Sequence, residues 1–105
     1  MKNITAKEAQ TFINNGEVVV VDVRTPEEFA EGHIAGAKNI DIQGEKFEEK
    51  IKKLDPNATY LVNCKLGGRS SRAVAHMNEI GFKDVTNLEG GITAWKDAGL
   101  STEKK

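Results

Sequence analysis

Apolar residues follow two rhythms along this chain. Short unbroken runs such as Val18-Val19-Val20-Val21 and Tyr60-Leu61-Val62 alternate with longer stretches in which apolar positions recur every three or four residues. The runs predict parallel strands covered on both faces, and the spaced pattern predicts amphipathic helices. Ile4 falls in a short edge strand, and Thr5 with Glu8 makes a capping box for a helix ending near Gly16. Residues 18–21 then form a buried central strand. Thr25 suits an N-cap, Pro26 the first helical position, Glu28 the capping-box position and Gly32 the stop of a second helix.

Residues 37–40 read as another short strand. Phe47, Ile51 and Leu54 mark the apolar stripe of a helix over residues 43–54, which Asp55-Pro56-Asn57 ends. Residues 60–62 make the next strand, and Ser70 begins a helix with Ala73, Met77 and Ile80 on one face and Gly81 at its close. Residues 84–86 are the last strand, residues 91–98 the final helix with Trp95 as a core anchor, and residues 101–105 a frayed polar tail. Alternating strands and helices predict an α/β fold in which helical crossovers join parallel strands. No repeat or low-complexity linker interrupts them, so residues 1–105 are expected to form a single domain.

Charge narrows the function by exclusion. Fifteen Lys and Arg against sixteen Asp and Glu give a net charge of −1, interspersed rather than gathered into the basic face that nucleic-acid binding needs. Lys46, Lys50, Lys52 and Lys53 interleave with Glu45, Glu48 and Glu49 as a solvated helix face. No apolar stretch is long enough to span a bilayer, and none of signal-peptide length follows Met1-Lys2-Asn3-Ile4. With one cysteine and therefore no internal disulfide, the expectation is a cytoplasmic protein that binds neither membrane nor nucleic acid.

That cysteine, Cys64, opens Cys64-Lys65-Leu66-Gly67-Gly68-Arg69 between a strand and a helix. A strand that ends in a Gly-containing turn and feeds a helix N-terminus aims backbone N–H groups and the helix dipole at one spot, where a thiolate is favoured. An inert buried thiol is the bland alternative, and the surrounding glycines and Arg69 argue against it. Four residues separate Cys64 from Arg69. Phosphatase-type cysteine loops, which wrap a phosphoryl group, carry one residue more; this shorter loop suits a single added sulfur. His33 reads as a hydrogen-bonded structural residue, and His76 lies about three helical turns past Cys64. Neither has metal-ligand spacing with Cys64, so no metal and no cofactor are implied.

The loop Cys-x-x-Gly-x-Arg resembles that of the rhodanese (sulfurtransferase) family. Two flanking signatures, in the same order as in that family, carry the resemblance over nearly the whole chain. Upstream stand Val21-Asp22-Val23-Arg24-Thr25-Pro26-Glu27-Glu28-Phe29, Gly32-His33-Ile34 and Ala37-Lys38-Asn39-Ile40; downstream stand Leu88-Glu89-Gly90-Gly91-Ile92, Trp95 and Gly99. Lys65 stands where arginine is frequent, and Ser101 where proline is common. The resemblance implies a rhodanese-like five-stranded parallel sheet with helices on both faces, and a thiosulfate sulfurtransferase working through a persulfide on catalytic Cys64. Lys65, Leu66, Gly67, Gly68, Arg69 and Ser70 would bind a small anionic sulfur donor, and Asp22 and Arg24 would support the loop. The acceptor would be cyanide, a thiol or a partner protein. The rival readings are a persulfide carrier or interaction module and, further off, a cysteine-dependent phosphatase or arsenate reductase.

Overall fold

In the computed structural model, which describes residues 2–104, the strand and helix signals resolve into one wholly parallel sheet. Met1 and Lys105, the final residue of the expected tail, lie outside the described residues. In chain order the elements are β1 (Lys2–Ile4), α1 (Ala6–Asn15), β2 (Val18–Asp22), α2 (Pro26–Ala30), β3 (Lys38–Asn39), α3 (Phe47–Lys52), β4 (Thr59–Asn63), α4 (Gly68–Glu79), β5 (Asp84–Leu88) and α5 (Gly91–Asp97). The strands lie in the order β1-β5-β4-β2-β3, so β4 runs through the middle. Both capping boxes form: Thr5 with Glu8 opens α1, and Thr25 with Glu28 opens α2 after Pro26 at its first position.

Side chains alternate across the strands and divide the core in two. Val21, Val23, Tyr60, Val62 and Cys64 point to the face covered by α3 and α4, where Ile51, Ala73, Val74 and Met77 pack. Val20, Leu61 and Leu88 point to the face covered by α1 and α5, where Ala6, Ala9, Ile92 and Trp95 pack. This alternation puts Cys64, two residues beyond Val62, on the α4 side at the carboxyl end of the central strand. Ligands of open parallel sheets bind at that end.

Three local expectations are corrected. The third helix starts at Phe47 rather than at residue 43, because Asp41 makes a competing turn. Its side chain accepts the Gln43 N–H at 2.9 Å, and its carbonyl accepts the Gly44 N–H at 3.0 Å. The fourth helix starts at Gly68, before Ser70, and Ile80 caps it, 37% exposed, while Val74 takes the buried position. The tail is not frayed at residues 101–103: His33 and Glu103 exchange backbone hydrogen bonds of 2.9 and 2.8 Å, and Trp95 Nε1 donates to the Ser101 carbonyl at 2.9 Å. Among the described residues, no helix is long and apolar enough to cross a membrane.

Candidate active site

Cys64 is 1% exposed, and its sulfur is held from within its own loop. The Gly67 N–H donates to Sγ at 3.0 Å and the Ser70 hydroxyl at 3.3 Å. Burial pushes the thiol pKa up. The Ser70 hydroxyl and the backbone N–H groups of Ser70, Gly67 and Leu66 outweigh burial, so the pKa falls below its ordinary value. Gly67 makes this possible: as the N-cap of α4 it has φ +109°, a conformation L side chains rarely adopt.

The loop needs its N–H groups inside and its carbonyls outside, and α5 supplies the outer partners. The Ile92 N–H donates to the Cys64 carbonyl at 2.9 Å and the Thr93 N–H to the Lys65 carbonyl at 3.2 Å. The first turn of one helix thus satisfies the back of a cradle whose front faces the sulfur. The approach is close. A Cβ on Gly91 would lie 2.4 Å from the Lys65 oxygen and 2.6 Å from the Cys64 oxygen, and Gly91 itself has φ +61°. This accounts for Gly91, whose contact with the loop has no signature in hydrophobic periodicity; at Gly90 a Cβ would instead lie 2.6 Å from that of Ala94.

Arg69 leaves the loop toward α2. Its Nη1 and Nη2 donate to the two carboxylate oxygens of Glu28 at 2.8 and 3.0 Å, a bidentate pair across 41 residues. Glu28 Oε1 also accepts the Thr25 N–H and hydroxyl, so one carboxylate caps α2 and ties it to α4. Its hydrogen bonds to Arg69 are the main reason that its pKa drops from 4.5 to about 2. The local capping motif around Glu28 carries no signal for this second task, because its partner lies 41 residues away. Behind the loop, Ser71 Oγ donates to the Gly67 carbonyl at 2.7 Å, and Asn87 Nδ2 donates to Ser71 Oγ at 3.2 Å and to Asn3 Oδ1 at 2.8 Å. Neither Ser71 nor Asn87 was singled out from sequence.

Asp22 and Arg24 form a buried pair. Arg24 Nε and Nη2 donate to the Asp22 carboxylate at 2.8–3.1 Å, and Nη2 also donates to the Gly32 carbonyl at 2.7 Å. They fasten the exit of α2 to the end of β2 and make no hydrogen bond to residues 64–70. The Arg69 pKa is raised chiefly by its hydrogen bonds to Glu28, with smaller additions from the charges of Cys64 and Asp22. His33 stacks on Phe29 with ring centroids 3.7 Å apart, and its Nδ1 lies 2.9 Å from the Phe29 carbonyl. His76 Nε2 lies 2.6 Å from a Glu48 carboxylate oxygen, joining α4 to α3. Neither histidine bonds to Cys64, and among the described residues no three His, Cys, Asp or Glu side chains gather as metal ligands.

Over the sulfur opens a cavity of about 400 Å³, lined by Cys64, Lys65, Leu66, Gly68, Arg69 and Arg72. Five of the six were expected from sequence; Arg72 was not. Gly67 and Ser70 are buried beneath the opening, where they serve the sulfur directly.

A family profile described as Rhodanese-like domain matches residues 5–98. The chain belongs to the rhodanese-like family. It is 37% identical over 95 residues to a thiosulfate sulfurtransferase GlpE of Ectopseudomonas mendocina, covering 90% of this chain and 84% of that protein. Its fold matches a rhodanese-related protein from Thermoplasma volcanium with a TM-score of 0.90 and 32% identity, covering both chains completely. A rhodanese-like domain protein from Staphylococcus aureus matches with a TM-score of 0.86 and 36% identity, over 100% of this chain and 99% of that one. The rhodanese-like α/β architecture expected from the three motifs is therefore the architecture of this protein.

Proposed function

We propose that this rhodanese-like protein is a thiosulfate sulfurtransferase that works by double displacement through a persulfide on Cys64. The Cys64 thiolate attacks the outer sulfur of thiosulfate. The bond between that sulfur and the sulfonate sulfur breaks, and sulfite departs with the electron pair. The transferred sulfur is left as a terminal persulfide anion, which backbone N–H groups of residues 65–70 stabilise without reorganising. A thiophile, whether cyanide, a thiol or a partner protein's thiol, then attacks the terminal sulfur, and the Cys64 thiolate is the leaving group. Polysulfides enter the same cycle, releasing a chain one sulfur shorter.

One observation carries the reading: the Cys64 sulfur accepts from Gly67 N–H and Ser70 Oγ inside a loop with four residues between cysteine and arginine. Likeness to relatives named thiosulfate sulfurtransferase supports it. Lys65, exposed at the rim, attracts the anionic donor, and Arg69 with Glu28 holds the loop's shape. Thiocyanate production from thiosulfate and cyanide, lost in a folded Cys64→Ala variant, is the expected result. Equal production by both proteins would refute the mechanism.

A further inference from the structure

We propose that Arg72 is the residue that reads the charge of the sulfur donor, and that Arg69, although it lines the same cavity, does not. This rests on the sulfurtransferase reading and adds a specificity residue to it. Arg69 Nη1 and Nη2 donate to the two carboxylate oxygens of Glu28, so the pair presents little net charge to a ligand. Arg72 stands three residues further along α4 and four beyond Gly68, on the side of the helix that meets the cavity mouth. It is exposed and enters no ion pair or side-chain hydrogen bond among the described residues. With Lys65 it supplies the uncompensated positive charge at the opening. Leu66, between them on the rim and 67% exposed, offers no polar group to an anion.

Donor charge separates the two arginines. Thiosulfate carries two negative charges, whereas methanethiosulfonate carries one and yields the same Cys64 persulfide with methanesulfinate as the leaving group. One lost positive charge at this range should raise KM for thiosulfate roughly five-fold at low salt and for methanethiosulfonate about two-fold. Both effects should fade below about two-fold near 0.5 M salt, where the screening length is only a few Å. Changes in kcat should stay within about two-fold, because a charge outside the cradle acts on capture rather than on the displacement.

The experiment measures low-salt and high-salt KM and kcat for both donors in wild type, Arg72→Lys, Arg72→Gln, Arg72→Glu and the double variant Arg69→Gln/Glu28→Gln, which removes the ion pair without changing the net charge. Arg72→Lys should behave as wild type, Arg72→Gln should show the stated rises, and Arg72→Glu should roughly square them. The double variant loses the brace of the loop but no net charge, so it should lower kcat with little salt-dependent change in KM. An unchanged low-salt KM through the Arg72 series, or an equal salt-dependent rise in the double variant, overturns the proposal; if the double variant does not fold, the Arg72 series decides alone. A second measurement needs no turnover: sulfate should protect Cys64 from iodoacetamide, and the protecting concentration should rise about five-fold in Arg72→Gln. Should wild type form no persulfide, the sulfurtransferase reading fails, while the sulfate measurement still decides the role of Arg72.

Discussion

Replacing Gly91 by alanine should damage the cradle from behind. The new methyl group would sit 2.4 Å from the Lys65 oxygen and 2.5 Å from its carbonyl carbon, both backbone atoms of the active loop, so the loop or the start of α5 must move by most of an ångström. The left-handed backbone at φ +61° adds about 1–2 kcal/mol for any residue with a Cβ. The shift also weakens the bonds from Ile92 and Thr93 to the Cys64 and Lys65 carbonyls, each worth about 1 kcal/mol. The sum is about 3–4 kcal/mol, a large share of the ~5–15 kcal/mol that holds a domain of this size together. Gly99→Ala is the control. Its φ is also positive, at +80°, but nothing lies within 4 Å of its Cβ position, so it should lose only the backbone share of about 1–2 kcal/mol. Urea unfolding of the three proteins measures the difference, and iodoacetamide alkylation against pH measures the cradle, whose midpoint should rise in Gly91→Ala alone. A Gly91→Ala protein within about 0.5 kcal/mol of Gly99→Ala, with an unshifted alkylation midpoint, would mean that α5 does not hold the Cys64 loop in place.

Further outcomes follow from individual contacts. Ser70→Ala removes the strongest of the donors that lower the Cys64 pKa, so the alkylation midpoint should move up toward 9.0 and the reactive fraction at neutral pH should fall; an unmoved midpoint contradicts that role. Glu28 titrates at about 2 in the folded protein against about 4.5 when exposed, so its contribution is complete above about pH 4.5 and lost as pH falls toward 2. Glu28→Gln should flatten that part of the acid unfolding curve, and a curve superimposable on wild type would deny the Arg69 pairing in solution. Asp22→Ala leaves the buried Arg24 guanidinium without its carboxylate and should cost about 3–5 kcal/mol by urea unfolding, so a loss below about 1 kcal/mol would refute the bracing. Lengthening the loop by one residue between Gly68 and Arg69 should cut sulfur transfer sharply; undiminished transfer would defeat the size argument.

Local signals carried most of the fold. Thr5 with Glu8 and Thr25-Pro26 with Glu28 are helix starts whose partners lie three residues away, and all of them form as read. The unbroken valines of β2 identified a strand covered on both faces, which its two-sided packing bears out. What escaped involves long sequence separations or competing local bonds. Arg69 and Glu28 are 41 residues apart, and each had a complete local explanation without the other. The contact of α5 with the Cys64 and Lys65 carbonyls is a matter of backbone proximity, which neither side-chain pattern nor charge encodes. Asp41 out-competed the helical rhythm of residues 43–54 with a turn of its own, and the bridge from Glu103 to His33 hid within a polar tail with no periodicity to display.

The proposed reaction stands or falls on whether Cys64 carries sulfur. Intact-protein mass spectrometry after exposure to thiosulfate and removal of excess reagent tests it most directly. One added sulfur atom is expected on the wild-type chain, localised to Cys64, absent from Cys64→Ser and discharged by cyanide with release of thiocyanate. A wild-type mass unchanged by thiosulfate, or an added sulfur that persists in Cys64→Ser, would contradict it.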